Sequence, residues 1–412
     1  MTTRPTTLRS TTSTTSTTLR HGRLHVAIPG PSIIPERVLA AMQRPMPNIY
    51  EGPLVDVSSS LFADLPKIAR TEGEAFIVIG NGHAAWQMAV SNTMRRGRKV
   101  LVLESGRFAV VWGEQAALSG VDVEVLPGAV DGPVDPGAVE DRLRADVDRG
   151  IEAVLVVLTD TASSVRNDIP AIRRAIDSAR HPALLMVDAI ASLACEPFEM
   201  DEWGVDVTVA ASQKGLMTPP GIAFVWANDK ALAAHERADM RVGYFDWESR
   251  LDVDAHYQLY NGTPPISHLY ALREALDMIF EEGLENTWRR HEVLARSVWA
   301  AVDAWGGGRS DGLSCGIATV ECRSHAVTTV RTGSVDATRL REVCEDQAGL
   351  TLGLGIGADV DRQFRIGHMG HLNPPMLLGT LGTIEAGLHS LGATIGSSGV
   401  AAAARVIGDA FA

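Results

Sequence analysis

Three observations predict an α/β fold with a mostly parallel sheet. Short apolar runs alternate with amphipathic stretches from Ala75 to about Trp226, the alternation of strands with crossover helices. The runs are mostly rich in Val, Ile or Leu, as strands covered on both faces must be. A chain of 412 residues that is 45% hydrophobic can bury a large core and divide into two domains.

In chain order the expected strands are 75–79, 99–103, 121–126, 153–158, 183–187, 205–210 and 222–226. Chemistry on such a sheet collects at the carboxyl ends of its strands. A helical stretch over 265–283 follows, then a long helix from about Leu284, then a mixed region with strands near 316–320, 326–332 and 363–366. The expected organisation is a large domain over 23–290 and a smaller α+β C-terminal domain over 291–412. Residues 1–22, with Thr and Ser runs, several Arg and no acid, lack the apolar pattern that offsets ordering entropy and are expected to be disordered.

Composition narrows the function. Lys and Arg number 37 against 50 Asp and Glu, a net charge of −13. Phosphate-backbone binding needs the opposite balance, which argues against a nucleic-acid partner and for small-molecule work. No apolar run approaches the roughly 20 residues that span a bilayer. Cys195, Cys315, Cys322 and Cys344 have neither CxxC spacing nor the density of a disulfide scaffold. They fit a reducing cytoplasm and give no reason to expect bound metal.

Three motifs carry chemistry. Gly80-Asn81-Gly82-His83 follows a strand and opens a helical stretch, so its backbone N–H groups can cradle a phosphate. A tight turn that binds nothing has the same sequence. Asp188 ends the run Ala-Leu-Leu-Met-Val, at the tip of a buried strand where an unpaired carboxylate would cost on the order of several kcal/mol. A cation should face it, and a protonated pyridine nitrogen is such a cation; a helix N-cap would also account for an Asp there. Lys214, in Ser212-Gln213-Lys214-Gly215 and ahead of the Thr218-Pro219-Pro220-Gly221 turn, projects over the same sheet edge. Its amine can form a Schiff base once it can lose its proton, which burial beside another cation promotes. Taken alone it would be read as a solvated surface charge.

Together these residues resemble the class V aminotransferases of the type I pyridoxal-phosphate (PLP) fold, in particular the alanine/serine–glyoxylate aminotransferase group. The resemblance runs over nearly the whole chain after the tail. It passes through His25-Val26-Ala27-Ile28-Pro29-Gly30-Pro31-Ser32, Leu185-Met186-Val187-Asp188-Ala189-Ile190-Ala191-Ser192 and Asp201-Glu202-Trp203-Gly204-Val205-Asp206. It continues through the Lys214 motif, Tyr260-Asn261-Gly262-Thr263-Pro264-Pro265 and Phe364-Arg365-Ile366-Gly367-His368-Met369-Gly370. It implies PLP as cofactor, Lys214 as the Schiff-base lysine, Asp188 on the pyridine nitrogen, and Gln213 with Gly82 and His83 of the turn at the phosphate. Phe108 falls where the family places an aromatic against the ring, and Thr161 where it sets a hydroxyl near ring and substrate.

Arg365 corresponds to the family arginine that grips the substrate carboxylate, a task suited to a planar two-pronged donor. The segment matching Tyr260 to Thr263 comes, in the family, from the neighbouring subunit and closes the phosphate site. The resemblance therefore implies a homodimer with composite active sites, to which Tyr260 and Thr263 offer hydroxyls. Ser164 stands where the family usually has Gly, and Leu158-Thr159-Asp160-Thr161 replaces a His-Asn-Glu-Thr-like run; both departures bear on the substrate. The implied reaction moves an amino group from a small amino acid (serine, alanine, glycine or aspartate) to a 2-oxo acid, glyoxylate or pyruvate. No second arginine must bind a distal carboxylate, although Arg166 and Arg241 keep aspartate open. The alternatives are pyridoxamine–pyruvate transamination on the same fold and a non-catalytic PLP-fold binding protein, which would not need Lys214, Asp188 and Arg365 together. His368 and His371 line the pocket or pack at a helix start.

Overall fold

The computed structural model describes residues 18–129, 131–357 and 360–412. Strands β1 (His25–Ala27), β2 (Glu74–Gly80), β3 (Lys99–Leu103), β4 (Asp122–Leu126) and β5 (Ile151–Val157) come first. The two-residue strands β6 (Thr159–Asp160) and β7 (Val165–Arg166) precede β8 (Leu184–Asp188), β9 (Val207–Ala211) and β10 (Gly221–Ala227). Seven of these form one sheet in the order β2-β10-β9-β8-β5-β3-β4. They are the seven runs read from the sequence, each within two residues of its expected ends.

From β9 through β8, β5 and β3 to β4 every pairing is parallel, while β10 is antiparallel to both β9 and β2. The reason is the connection. Residues 212–220 join β9 to β10, fewer than the dozen or so that a crossover needs, so the chain turns back as a hairpin. The reversal at β10 leaves β2 running with the other five strands, and six carboxyl ends share one edge. Alternate residues of the strands supply the two covered faces. Ile77, Leu101, Val154, Leu185 and Phe224 enter one apolar cluster, and Phe76, Val100, Met186, Val209 and Val225 enter the other, as the two-residue side-chain period requires.

A second sheet adds β11 (Ser314–Cys315), β12 (Val327–Arg331), β13 (Leu350–Leu354) and β14 (Gln363–Gly367) in the order β1-β13-β14-β12-β11. β1 pairs parallel with β13, His25 opposite Leu350, so the first strand of the chain lies in this sheet although the sequence groups it with the large domain. The helix Leu284–Gly306 spans both cores: Leu284 and Trp288 belong to the large one, Leu294, Val298, Val302 and Trp305 to the second.

Two details of this region differ from expectation. Instead of a strand over 316–320, β11 stops at Cys315; the Arg323 guanidinium gathers the carbonyls of Ile317 and Ala318, and a 3-10 turn follows at Val320–Cys322. β13 went unread because its glycine mimics a loop signal. A Cβ at Gly353 would lie 2.6 Å from Pro29 Cδ, so close packing against the residues after β1 requires it. Of the stretch expected to be disordered, residues 1–17 lie outside the described residues, while the N–H of Leu19 donates to the Gln347 carbonyl at 2.9 Å.

Phe364, fully buried in the second core, holds β14 in place. Phe364→Ala is expected to cost about 3–5 kcal/mol, read as a lowered urea midpoint; an unchanged midpoint would mean that this core does not secure the strand.

Candidate active site

Five of the six strand ends deliver residues to one cavity of about 170 Å³. β8 ends in Asp188 itself, and β9 runs out into the hairpin loop that carries Gln213 and Lys214. β2 opens into the turn before the helix Gly82–Thr93, β3 leads to the helix Arg107–Leu118 with Phe108 in its first turn, and Thr159 and Thr161 follow β5.

Asp188 is 3% exposed. Its Oδ2 accepts the Trp86 indole N–H at 2.8 Å and its Oδ1 the Ile190 amide at 2.7 Å. Two neutral donors do not replace the lost solvation, so burial pushes the carboxyl up to about 7, with Asp160 adding to the rise and Lys214 opposing it.

The sequence contains four lysines. Lys67, Lys99 and Lys230 each sit on a carboxylate, those of Asp64, Glu124 and Asp206. Lys214 does not; its Nζ donates to the Pro29 carbonyl. Burial, reinforced by the Arg365 guanidinium, brings its pKa down to about 8. Residues 29–32 fold over this loop, with the Ser32 N–H on the Gln213 carbonyl (2.9 Å) and its hydroxyl on the Lys214 carbonyl (2.7 Å). Gly30 has φ +90°, and a Cβ there would lie 2.4 Å from Lys214 Nζ; only glycine lets the segment cross the lysine.

Asp160 organises the opposite departure from the sheet. Its Oδ2 accepts the N–H groups of Phe108 (2.8 Å) and Ala109 (3.2 Å), and its Oδ1 accepts that of Ala162 (2.9 Å). A carboxylate at a helix N-terminus is favourable, and this one fixes half-buried Phe108 on the cavity wall, although burial still holds its own pKa up. Thr161 lines the cavity and accepts Arg365 Nη1 on its carbonyl at 2.7 Å. Arg365 Nε donates to the Leu354 carbonyl, also at 2.7 Å. These two bonds orient the guanidinium, whose Nη2 has no hydrogen-bond partner among the described residues. Burial brings the Arg365 pKa down to about 10, which leaves it charged at neutral pH. Ser164 has φ +65°, which explains the glycine usual at that position; its hydroxyl accepts the Thr329 N–H at 3.1 Å.

The remaining expected residues divide. Gly82, His83 and Gln213 line the cavity. The His83 N–H is taken by Asn81 Oδ1 (3.1 Å), its ring sits 4.5 Å from that of Trp86, and Gln213 Oε1 is buried without a partner. Tyr260 is elsewhere: it is fully buried, and its hydroxyl pairs with Ser58 Oγ at 2.7 Å. Apolar packing against Phe62 has drawn in a side chain whose hydroxyl was expected to reach a phosphate. Thr263 is exposed and away from this cavity. His368 is buried on Thr328 Oγ1 and the His325 carbonyl, and His371 is exposed; neither lines the cavity. Arg166 lies 3.3 Å from Glu196 and Arg241 2.6 Å from Glu248.

Sequence reasoning missed Trp86, Pro29, Asp160 and Glu196. Trp86 stands one turn beyond Gly82, where the helical period aims it at the same cavity. Pro29 and Gly30 lie inside a motif already singled out, without a role. Asp160 lay in a run already noted, without a role, and Glu196 left no local signal; Phe108 and Ala109, held by the first, and Ser324 and His325, held by the second, are far off in the chain. Glu196 Oε1 accepts from Thr159, Ser324 and His325 at 2.7–3.0 Å.

Removing the Arg365 charge should raise the pKa of Lys214, because the ammonium would no longer be repelled. Arg365→Gln is expected to shift the pH midpoint of Lys214 acylation, followed by mass spectrometry, upward from about 8. An unmoved or lower midpoint would show that the guanidinium does not act on this amine.

Comparison with known proteins gives the family. Residues 68–357 match the family model described as Aminotransferase class-V. The serine–glyoxylate aminotransferase of Methylorubrum extorquens is 39% identical over 95% of this chain and 97% of its own. The L-aspartate–glyoxylate aminotransferase of Paracoccus denitrificans is 35% identical over 92% and 94%. Among solved structures, pyridoxamine–pyruvate aminotransferase from Mesorhizobium loti superposes with a TM-score of 0.85 at 26% identity, covering 95% of this chain and 99% of that one. The chain belongs to the class V aminotransferases and has their type I fold.

Proposed function

We propose that this transaminase uses PLP to move an amino group from a small amino acid to a 2-oxo acid, with glyoxylate as the favoured acceptor and pyruvate next. The observation that carries the reading is a single cavity holding both Lys214, the lysine without a carboxylate partner, and Asp188, a carboxylate that lacks a cation. The residues fit the cofactor. A pyridinium nitrogen would supply the charge that Asp188 lacks, and Phe108 offers a face for the ring. Gln213, His83 and the Gly82 amide at the helix N-terminus would hold the phosphate. Bound there, PLP supplies an electron sink for the bond broken at the substrate Cα.

The chain's own groups do the rest. Lys214, with a pKa near 8, would carry the proton from the donor Cα to the cofactor's reactive carbon within the first half-reaction and make the same transfer in reverse, onto the Cα of the acceptor, in the second. Arg365 binds the carboxylate common to amino acid and oxo acid, so it serves both halves. Arg166 and Arg241 are engaged by Glu196 and Glu248, which favours donors without a distal carboxylate, serine, alanine and glycine ahead of aspartate. The relatives divide between serine and aspartate by name.

Two copies would complete the site. Tyr260 anchors its segment in its own chain, and exposed Thr263 is left to donate to the partner's phosphate, as the motif implies for a homodimer. The four free cysteines fit a cytoplasmic enzyme, and no helix among the described residues is long and apolar enough to cross a membrane.

A second reading rests on the head of the helix Gly82–Thr93, where Asn81 Oδ1 occupies an amide that a phosphate would otherwise use. Pyridoxamine–pyruvate transamination needs no phosphate there, and an enzyme of that activity shares the fold. Gel filtration separates the two: retention of stoichiometric PLP supports the cofactor reading, and loss of the ring with turnover of free pyridoxamine overturns it.

Lys214→Ala is expected to fold and to lose transamination from serine to glyoxylate by orders of magnitude, since no other lysine lines this cavity. Wild-type turnover in that variant would refute the assignment. Asp188→Asn should also reduce turnover steeply, measured with the same donor and acceptor.

A further inference from the structure

Away from this cavity, three ligand-type side chains converge beside the end of the helix Asp229–His235. Atoms of His235, Asp246 and Glu248 that could bind a cation all lie within 4.8 Å of one another. His235 is fixed in a definite tautomer. Its Nδ1 faces the Asn92 carbonyl at 3.2 Å, and a carbonyl only accepts, so Nδ1 carries the proton and Nε2 presents a lone pair. That Nε2 is buried without a hydrogen-bond partner, in a side chain only 8% exposed, and it points at Asp246 Oδ1 at 3.5 Å. A lone pair and a carboxylate facing each other with nothing between them repel, and something positive belongs there.

A proton is the poorer candidate. The 3.5 Å separation exceeds the reach of an N–H···O hydrogen bond, about 2.7–3.2 Å. Burial first, then Arg241, lowers the His235 pKa, with Asp246, Asn92 and Glu248 opposing. A metal ion suits the spacing. Ligand atoms about 2.0–2.2 Å from a tetrahedral zinc stand roughly 3.3–3.6 Å apart. An imidazole that donates its other N–H to a backbone carbonyl is also the usual support of a metal-bound histidine.

We propose that His235 Nε2, Asp246 and Glu248 form a binding site for a divalent cation of the zinc class. The other charged group facing the cluster is Arg241, which donates to Glu248 Oε2 at 2.6 Å and to the His235 carbonyl at 3.1 Å; Glu248 Oε1 is left for the ion. Two carboxylates and one guanidinium give the cluster a formal charge of −1, attractive to a dication. The cysteine spacing that argued against bound metal has no bearing here, because no thiol takes part. The ion would pin the 241–250 segment to the helix. Asn261 Nδ2 already grips that segment through the Gly243 and Tyr244 carbonyls and Ser249 Oγ. The site therefore stiffens the support beneath Thr263.

The test is calorimetric titration of zinc chloride into holoenzyme that has been treated with chelator and dialysed, with thermal unfolding measured in parallel. One equivalent should bind and raise Tm. Glu248 is 74% exposed, so Glu248→Gln should keep the fold and the cofactor absorbance. It should weaken zinc binding by at least about tenfold, the least that loss of a supporting group causes at metal sites. Asp246→Asn should do the same, which guards against one variant acting through Arg241. Absence of binding at about 1 mM zinc, or binding of equal strength in both variants, would overturn the proposal.

Discussion

The Asp188 carboxylate sets the terms for the rest of the site. It sits at the end of a strand buried on both faces, with an indole N–H and one amide for company and a pKa near 7. Relative to a free carboxyl that is a bias of about 4 kcal/mol toward the neutral acid. The sign matters. A carboxyl whose folded pKa is raised binds more protons folded than unfolded, so it contributes stability below about pH 4 that is lost as pH rises toward 7. The polypeptide's own groups leave this burden at neutral pH, and a cationic ring held against Asp188 would relieve it. Affinity for such a ring and its activation as an electron sink would then have the same source.

The fold supplies that carboxylate with its counterpart through one short connection. Because residues 212–220 cannot accommodate a crossover helix, β10 returns antiparallel, and the loop that turns it carries Lys214 over the edge where Asp188 ends β8. The second sheet closes the site from the other side. β1 leads into Pro29 and Gly30, which cross the lysine. β14 brings Arg365; the burial of Lys214 itself, and then the Arg365 charge, bring the pKa of the amine down to about 8. Thr161 and Glu196 tie the sheets together, the first through Arg365 and the second through Ser324 and His325. The reactive groups are thus held by contacts that cross between the two cores.

What could be read in advance followed from local rules. The seven strands announced themselves because a doubly covered strand must be apolar along its length, and Asp188 stood out because a charge ending such a run needs a reason. Lys214 was a candidate by its place beyond a strand but gained its role, as Phe108, Thr161 and Arg365 did, from a resemblance, and composition alone would have left each of them bland. The unread parts are long-range. Asp160 caps a helix that begins more than fifty residues earlier, and Trp86 reaches Asp188 across 102 positions. β13 hid behind a glycine that serves the packing of Pro29, and Tyr260, a hydroxyl in sequence, turned out to be a core residue anchored on Ser58. A motif gives the type of residue at a position, while the direction its side chain takes is decided by neighbours elsewhere in the chain.

If Lys214 is the amine joined to the cofactor opposite Asp188, that bond can be trapped and located. Borohydride reduction of the PLP-loaded protein fixes that linkage, and digestion with peptide mass mapping locates it. With four lysines in the chain, the outcome is unambiguous. One phosphopyridoxyl group per chain is expected, on Lys214; labelling of Lys67, Lys99 or Lys230 with Lys214 unmodified would overturn the assignment.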